Sequence, residues 1–189
     1  MTQISAKSIV SKTILTLFLF LFCSNSFAQL VQVSLDQRIA NSKVVFEGKV
    51  LSSKSFWDEK HTNIYTANVI EVYKVFKGTL TANTVEIITE GGTVGNEKET
   101  VTHTLEISKG DVGIFMCHAG TVKPSQNSGL PSFKTYADSQ GFARYDLNNY
   151  TANDMFTTYN DITTKLYGEI KKRTKQEVKE ITKVSFKKK

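Results

Sequence analysis

The chain has 189 residues, a formal charge of +6 and two cysteines. That length supports one domain with its own apolar core, and so few cysteines exclude a disulfide framework as the source of stability. The positive charge is not spread over the domain. Residues 171–189 hold nine Lys/Arg against two Glu, and residues 29–170 are net −3, so the basic balance belongs to a tail and does not define a nucleic-acid-binding body.

In chain order, Lys7 and Lys12 precede an apolar run from Ile14 to Phe22, and 24-SNSFAQ-29 follows with small residues at Ser26 and Ala28. This is the pattern of a secretory signal cleaved between Ala28 and Gln29. The run is shorter than the ~20 residues that span a bilayer. A lipoprotein reading of Cys23 fits poorly, because bulky Phe22 stands where such a signal wants a small residue. Cleavage leaves Cys117 as the remaining cysteine. It lies in the apolar run 112-VGIFMCHAG-120, where burial as a small hydrophobe is the expected fate.

Asp36–Ser42 reads as a short helical turn or loop. Val44–Leu51 reads as a first strand, and Gly48 inside it signals a bulge or a close backbone approach. The polar segment 52–63 reads as a loop carrying Phe56 and Trp57. A second, long strand follows from Ile64 to Phe76. Its apolar phase changes near Ile70, as a coiled barrel strand requires. Thr84–Thr89 is a third strand, 90–99 a glycine-bearing loop, and Thr100–Ile107 a strand with Val101, His103, Leu105 and Ile107 on one face. Val112–His118 is the next strand, 120–132 an exposed loop, and Gly141–Asp146 a short closing strand. The period then changes to that of a helix. Met155, Tyr159, Ile162, Leu166 and Ile170 make one apolar face, with Thr151 or Asn153 as N-cap. Val178, Ile181 and Val184 extend the stripe into the basic tail, expected to be a helical extension or disordered. The expected organisation is a signal peptide at 1–28, a domain at 29–170 and a tail at 171–189.

The stretches 44-VVFEGKV-50, 65-YTANVIEVYKVFKG-78, 91-GG-92, 109-KGDVGIFM-116 and 140-QGFARYD-146, in this order and spacing, resemble the bacterial branch of the netrin-like, or tissue-inhibitor-of-metalloproteinases-like, superfamily. The likeness covers roughly residues 40–170. It implies a mainly β, α+β fold: a five-stranded OB-type Greek-key barrel with packed helices, open to ligands on one face and its loops. The animal inhibitors of this superfamily chelate a protease zinc through an N-terminal Cys held by disulfides. Here the mature terminus is expected to be Gln29-Leu30-Val31, without a Cys. Similar domains also stand at the N-termini of longer type IX-secreted surface proteins, so a fragment of such a protein is one reading.

Candidate chemistry is sparse. His61 sits in a polar loop beside Asp58 and Glu59, His103 on an apolar face, and Cys117 and His118 point to opposite faces of one strand. The apolar setting of Cys117 disfavours a thiolate nucleophile. The run 91-GGTVG-95 lacks the Lys-Ser/Thr of a phosphate loop. No catalytic residue, metal site or cofactor is expected. The expected function is an exported, non-enzymatic binding module for a protein or cell-surface ligand. Its contacts would come from loops 52–63, 91–96 and 120–132, with Phe56, Trp57, His61, Gly91 and Gly92 as candidate ligand-binding residues. The alternative is a metalloprotease inhibitor working through its N-terminal edge. No nucleic-acid partner is expected, and the tail offers at most weak contact with anionic surfaces. Expressed in an exporting host, the protein should yield Gln29 or its cyclised form as the first residue on terminal sequencing; an intact Met1 would refute the signal reading.

Overall fold

The computed structural model describes residues 30–120, 122 and 128–186. The expected signal at 1–28, its Ala28–Gln29 junction, most of the loop at 121–127 and the last three lysines lie outside the described residues. The larger unit, Gln32–Lys189, carries the fold. It begins with helix α1 (Leu35–Asn41), followed by β1 (Val44–Trp57), β2 (Ile64–Lys77), β3 (Thr84–Glu90), β4 (Gly92–Val94) and β5 (Glu97–Glu99). Strands β6 (Val112–Ala119), β7 (Ser132–Thr135), β8 (Phe142–Asp146), β9 (Thr151–Asn153) and β10 (Thr158–Tyr159) come next. A π-helical turn (Ile162–Leu166), helix α2 (Tyr167–Thr174) and β11 (Lys179–Glu180) complete it.

The fold is mainly β, and the pairing of its strands closes on itself. β1 pairs antiparallel with β2 from Val45↔Lys77 to Trp57↔Ile64, and β2 with β3 from Tyr65↔Glu90 to Glu71↔Thr84. β3 runs parallel to β7 through Glu86↔Ser132 and Ile87↔Phe133. β7 pairs antiparallel with β6, and β6 returns to β1 between Val44↔Cys117 and Lys49↔Val112. The result is a barrel-like ring, β1-β2-β3-β7-β6, from which β8, β9 and β10 continue beyond β6.

A ring has two faces, and here both are covered. Inside, Val44, Phe46, Val50, Ile70, Val72 and Phe115 form one cluster, with the Phe115 ring stacked 5.4 Å from Phe46 and 4.4 Å from Phe142. Outside, Val45, Tyr73, Phe76 and Ile114 pack under Ile162 and Ile170 in a second cluster. This is why the first half of β1 is buried almost throughout and β6 reads as an almost unbroken apolar run rather than as clean alternation. The phase change of β2 is produced by irregular register. Tyr73 and Phe76 are the extra residues opposite Gly48/Glu47 and Phe46/Val45, and Leu51 is extra opposite Ile70/Val69. Such bulges bend and twist a strand, and they turn Tyr73 and Phe76 to the outer cluster.

Several expected elements differ. β1 runs to Trp57, so Phe56 and Trp57 are strand residues and the connecting loop is only 58–63. The segment 90–99 is a small hairpin of β4 and β5. Thr100–Ile107 is not a strand: His103 has φ +66°, which breaks the extended run, although Leu105 still reaches the inner core. β7 begins at the last residue of the expected 120–132 loop and runs into a stretch with no expected element; its closing contacts need only four residues. The helix is shorter than its stripe. Thr151–Asn153 is β9, because the Asp154 carboxylate accepts the Phe156 and Thr157 N–H groups and turns the chain into β10. Asp161 is the actual cap, accepting Thr164 N–H. Ile162, Leu166 and Ile170 keep their shared face, while Met155 and Tyr159 precede the helix. Helix α2 extends into the expected tail as far as Thr174, and the described residues after it, to Phe186, are not helical. β11 pairs with β2 at Lys179↔Val75 and Glu180↔Lys74, and Val178, Val184 and Phe186 pack on the outer cluster.

One charged group lies in that outer layer. Glu47, wholly buried, accepts hydrogen bonds from Lys74 Nζ at 2.9 Å, from the Tyr145 hydroxyl at 2.9 Å and from the Tyr167 hydroxyl. Burial, and then the Glu47 charge, push both tyrosine hydroxyls well above their ordinary range. Lys74 Nζ also donates to the Val184 carbonyl at 3.3 Å, which ties the tail to the sheet. Removing the carboxylate leaves a mostly buried ammonium and two hydroxyls short of an acceptor. Glu47→Ala should therefore cost about 3 kcal/mol in urea unfolding. Adding Lys74→Met should recover part of that loss; a double variant as unstable as the sum of both singles would refute the network.

Candidate functional site

At one end of the ring the inner face changes from apolar to polar. Below Ile70, period-two alternation places Asn68 and Thr66 on the same side of β2. Their register partners on β1 are Ser53 and Ser55. Ser53 Oγ donates to Asn68 Oδ1 at 2.7 Å, and the Ser55 and Thr66 hydroxyls are 3.0 Å apart. Asn68 Nδ2 reaches the Ile87 carbonyl and Thr89 Oγ1, each at 3.1 Å.

The β4–β5 hairpin is seated on these hydroxyls. Thr66 Oγ1 donates to the Gly91 carbonyl at 2.7 Å, and Thr93 N–H donates to Ser55 Oγ at 3.1 Å. Gly92 has φ +143°, and a Cβ there would lie 2.3 Å from Ser55 Oγ and 2.5 Å from Thr66 Oγ1. The close approach needs a glycine. The Glu99 carboxylate accepts Ile64 N–H and holds the second strand of the hairpin against β2. Between the hairpin and the 100–108 segment lies an open cleft of about 460 Å³, with Thr66, Thr89, Gly91, Lys98 and Arg144 among its walls. That is the size range of a small-ligand site.

The structure separates the candidate residues predicted from sequence. Gly91 and Gly92 line the cleft. Phe56 pairs with Tyr65 on the opposite side of the β1–β2 ribbon from Ser55, ring centroids 6.1 Å apart. Trp57 stacks on His61 at 5.9 Å at the ribbon tip. His61 adopts φ +52° in a turn organised by Asp58. The Asp58 carboxylate takes the Thr62 N–H and hydroxyl, and these hydrogen bonds hold its pKa well below the ordinary 3.8. Phe56, Trp57 and His61 therefore form a separate tip and do not face the cleft. Residues that do face it, notably Thr66, Thr89 and Arg144, escaped sequence reasoning. The available signal was the row of small polar residues at alternate positions, Ser53 and Ser55 opposite Asn68 and Thr66, continuing an apolar row.

Cys117 is fully buried in the inner cluster, and burial pushes its thiol far above the ordinary value of 9.0. His118 faces away from it, edge-on to Tyr136 at 6.3 Å. Among the described residues, no three His, Cys, Asp or Glu side chains converge on a point. The cleft is walled by threonines and the hairpin backbone, with Lys98 and Arg144 at its margin, and the Thr66 and Thr89 hydroxyls are already bonded to protein groups.

Fold and cleft together define a mainly β protein with a ligand-sized opening at one end of a strand ring. No protein-family model and no curated protein matches the chain. Because the thiol is enclosed, Cys117 should resist a maleimide reagent in native buffer and react fully in 6 M guanidinium. Rapid native labelling would refute the enclosed core.

Proposed function

We propose that this chain is an exported, non-catalytic binding module on an OB-type barrel of the netrin-like or metalloproteinase-inhibitor-like kind, engaging a protein or cell-surface ligand. Two features support the barrel type. The ring order β1-β2-β3-β7-β6 with a parallel β3–β7 contact agrees with a five-stranded Greek-key barrel, and the motif stretches 44–50, 65–78 and 109–116 fall on its strands β1, β2 and β6. The observation that carries the binding reading is the polar cleft of about 460 Å³ beside the glycine hairpin. Fold alone does not assign activity; the site chemistry favours binding, because the hydroxyls around it are engaged with each other and the buried thiol faces the inner core. Of the expected contact loops 52–63, 91–96 and 120–132, the reading keeps 91–96 and adds the 100–108 segment.

Affinity capture from a cell-envelope extract tests this with the wild type and a Lys98→Glu variant. Lys98 is exposed at the cleft and makes no ion pair with any described residue, so the variant should keep its melting temperature and lose the captured ligand. Equal capture by both proteins would overturn the cleft assignment. Metalloprotease inhibition that depends on a free Gln29 amine would overturn the module reading in favour of an N-terminal inhibitory edge.

A further inference from the structure

The segment after α2 is a strap that leaves one element and closes over another. α2 itself is fixed in the outer layer, where Tyr167 and Ile170 are buried and Arg173 pairs with Asp36 of α1. The chain then turns at Lys175, the C-cap of α2, with φ +50°. A lysine in the left-handed region carries a backbone penalty that a glycine would not. Residues 175–178 are the whole connection between α2 and β11.

From Gln176 to Phe186 the strap is held by the sheet and its margins. Gln176 Oε1 accepts Gly78 N–H at 2.9 Å. Lys179 and Glu180 pair with Val75 and Lys74 of β2, and Ile181 and Thr182 N–H donate to the Tyr73 carbonyl. Lys74 Nζ donates to the Val184 carbonyl at 3.3 Å, and the Tyr150 hydroxyl to the Phe186 carbonyl at 2.9 Å. The Phe186 ring lies 5.7 Å from Tyr145 and 6.1 Å from Tyr73, with Lys74 Nζ 5.8 Å from its centre. Lys74 and Tyr145 are also the partners of buried Glu47, so the strap seals that carboxylate from water. A copy with its strap open would leave the Tyr73 carbonyl without these donors and the Lys74–Glu47 pair wet. The uncovered seat fits one segment, and a second copy carries it.

We propose that the mature chain exchanges this strap with a second copy, so that residues 176–186 of each close the outer layer of the other. Every strap contact described above reforms in the exchanged dimer. What changes is the hinge, where Lys175 leaves the left-handed region for extended backbone. Hinge strain therefore favours exchange, and the lost independent motion of two copies opposes it. Short hinges under strain are the ones that invite exchange. Eleven extended residues reach ~36 Å, enough to pass between the outer layers of neighbouring copies. Exchange does not depend on what the cleft binds.

The test refolds the mature chain at micromolar to millimolar concentration and measures the dimer fraction by light scattering on a sizing column. Equal mixtures of ¹³C-labelled and unlabelled chains, refolded together, then report through isotope-filtered NOEs whether Phe186 of one copy touches Tyr145 of the other. A dimer fraction that rises with concentration, with that NOE present, is the expected result. Lys175 is exposed, so both hinge variants should fold with the wild-type circular dichroism. Lys175→Gly relieves the closed hinge and should favour the monomer. Lys175→Val resists positive φ and should favour the dimer. Each dimer contains two hinges, so the dimerisation constants of these variants should differ by at least ~10-fold. A wild type and Val variant that stay monomeric at millimolar protein would refute strap exchange. So would a dimer without the Phe186–Tyr145 NOE, or equal constants for the two variants.

Discussion

The ring closes where two glycines meet. Gly48 of β1 and Gly113 of β6 are register partners. A Cβ at Gly48 would lie 2.5 Å from the Glu71 carbonyl oxygen, and one at Gly113 would lie 2.2 Å from the Ala143 carbonyl oxygen and against the Phe142 ring. On both sides the nearest atom is a backbone carbonyl oxygen, with the Ile70 and Phe142 side chains just behind it, so relief would require moving strands. Four strands (β2, β1, β6 and β8) are thus drawn together at a line without side chains. That is the condition for a strongly coiled sheet to bend onto itself.

Closure creates the second constraint, that every central strand must be covered on both faces. The inner face is filled by stacked phenylalanines and branched aliphatic residues. The outer face is covered by α1, the π-helical turn with α2, and the returning tail. The tail also supplies main-chain donors, with Ile181 and Thr182 N–H reaching the Tyr73 carbonyl at 2.8 and 3.1 Å. It does so where β2 extends past the end of β3, and part of an otherwise open strand edge is paired there. Glu47 survives in this layer because Lys74 and two tyrosine hydroxyls satisfy it. A buried pair of this kind orients the layers more than it stabilises them. Arg38 plays a similar part nearby, donating to the Gln140 carbonyl at 2.6 Å and to Asp154.

The cleft is the place where the same ring stops being a core. Along β1 and β2 the inner row passes from Val50 and Ile70 to Ser53, Ser55, Thr66 and Asn68 without changing sides. The polar rows bond to each other and to the β4–β5 hairpin, so the opening is held by a rigid seat instead of a free loop. Preorganisation of this sort lowers the ordering cost of binding. Arg144 belongs to β8, and Phe142 two residues earlier lies in the inner core, which fixes the guanidinium relative to the ring.

Local patterns in the sequence determined a good part of this protein. The dense β-branched and aromatic runs at 44–50, 64–76, 84–89 and 112–118 became strands because they bury on a pleated surface whatever their partners. Gly48 was legible as a point of close approach, and burial of Cys117 followed from its apolar neighbours. His103 breaks an alternation that Thr100–Ile107 displays perfectly, Met155 and Tyr159 continue a helical stripe from within a hairpin, and β7 is too short to show a period. In the last two cases hydrogen bonds from distant or turn-forming groups, Asp154 to its own turn and β7 to both β3 and β6, outweigh a weak local preference. The cleft was hidden for the same reason. Its walls come from β2, β3, the hairpin, the 100–108 segment and β8, and only closure of the ring brings those five stretches to one place.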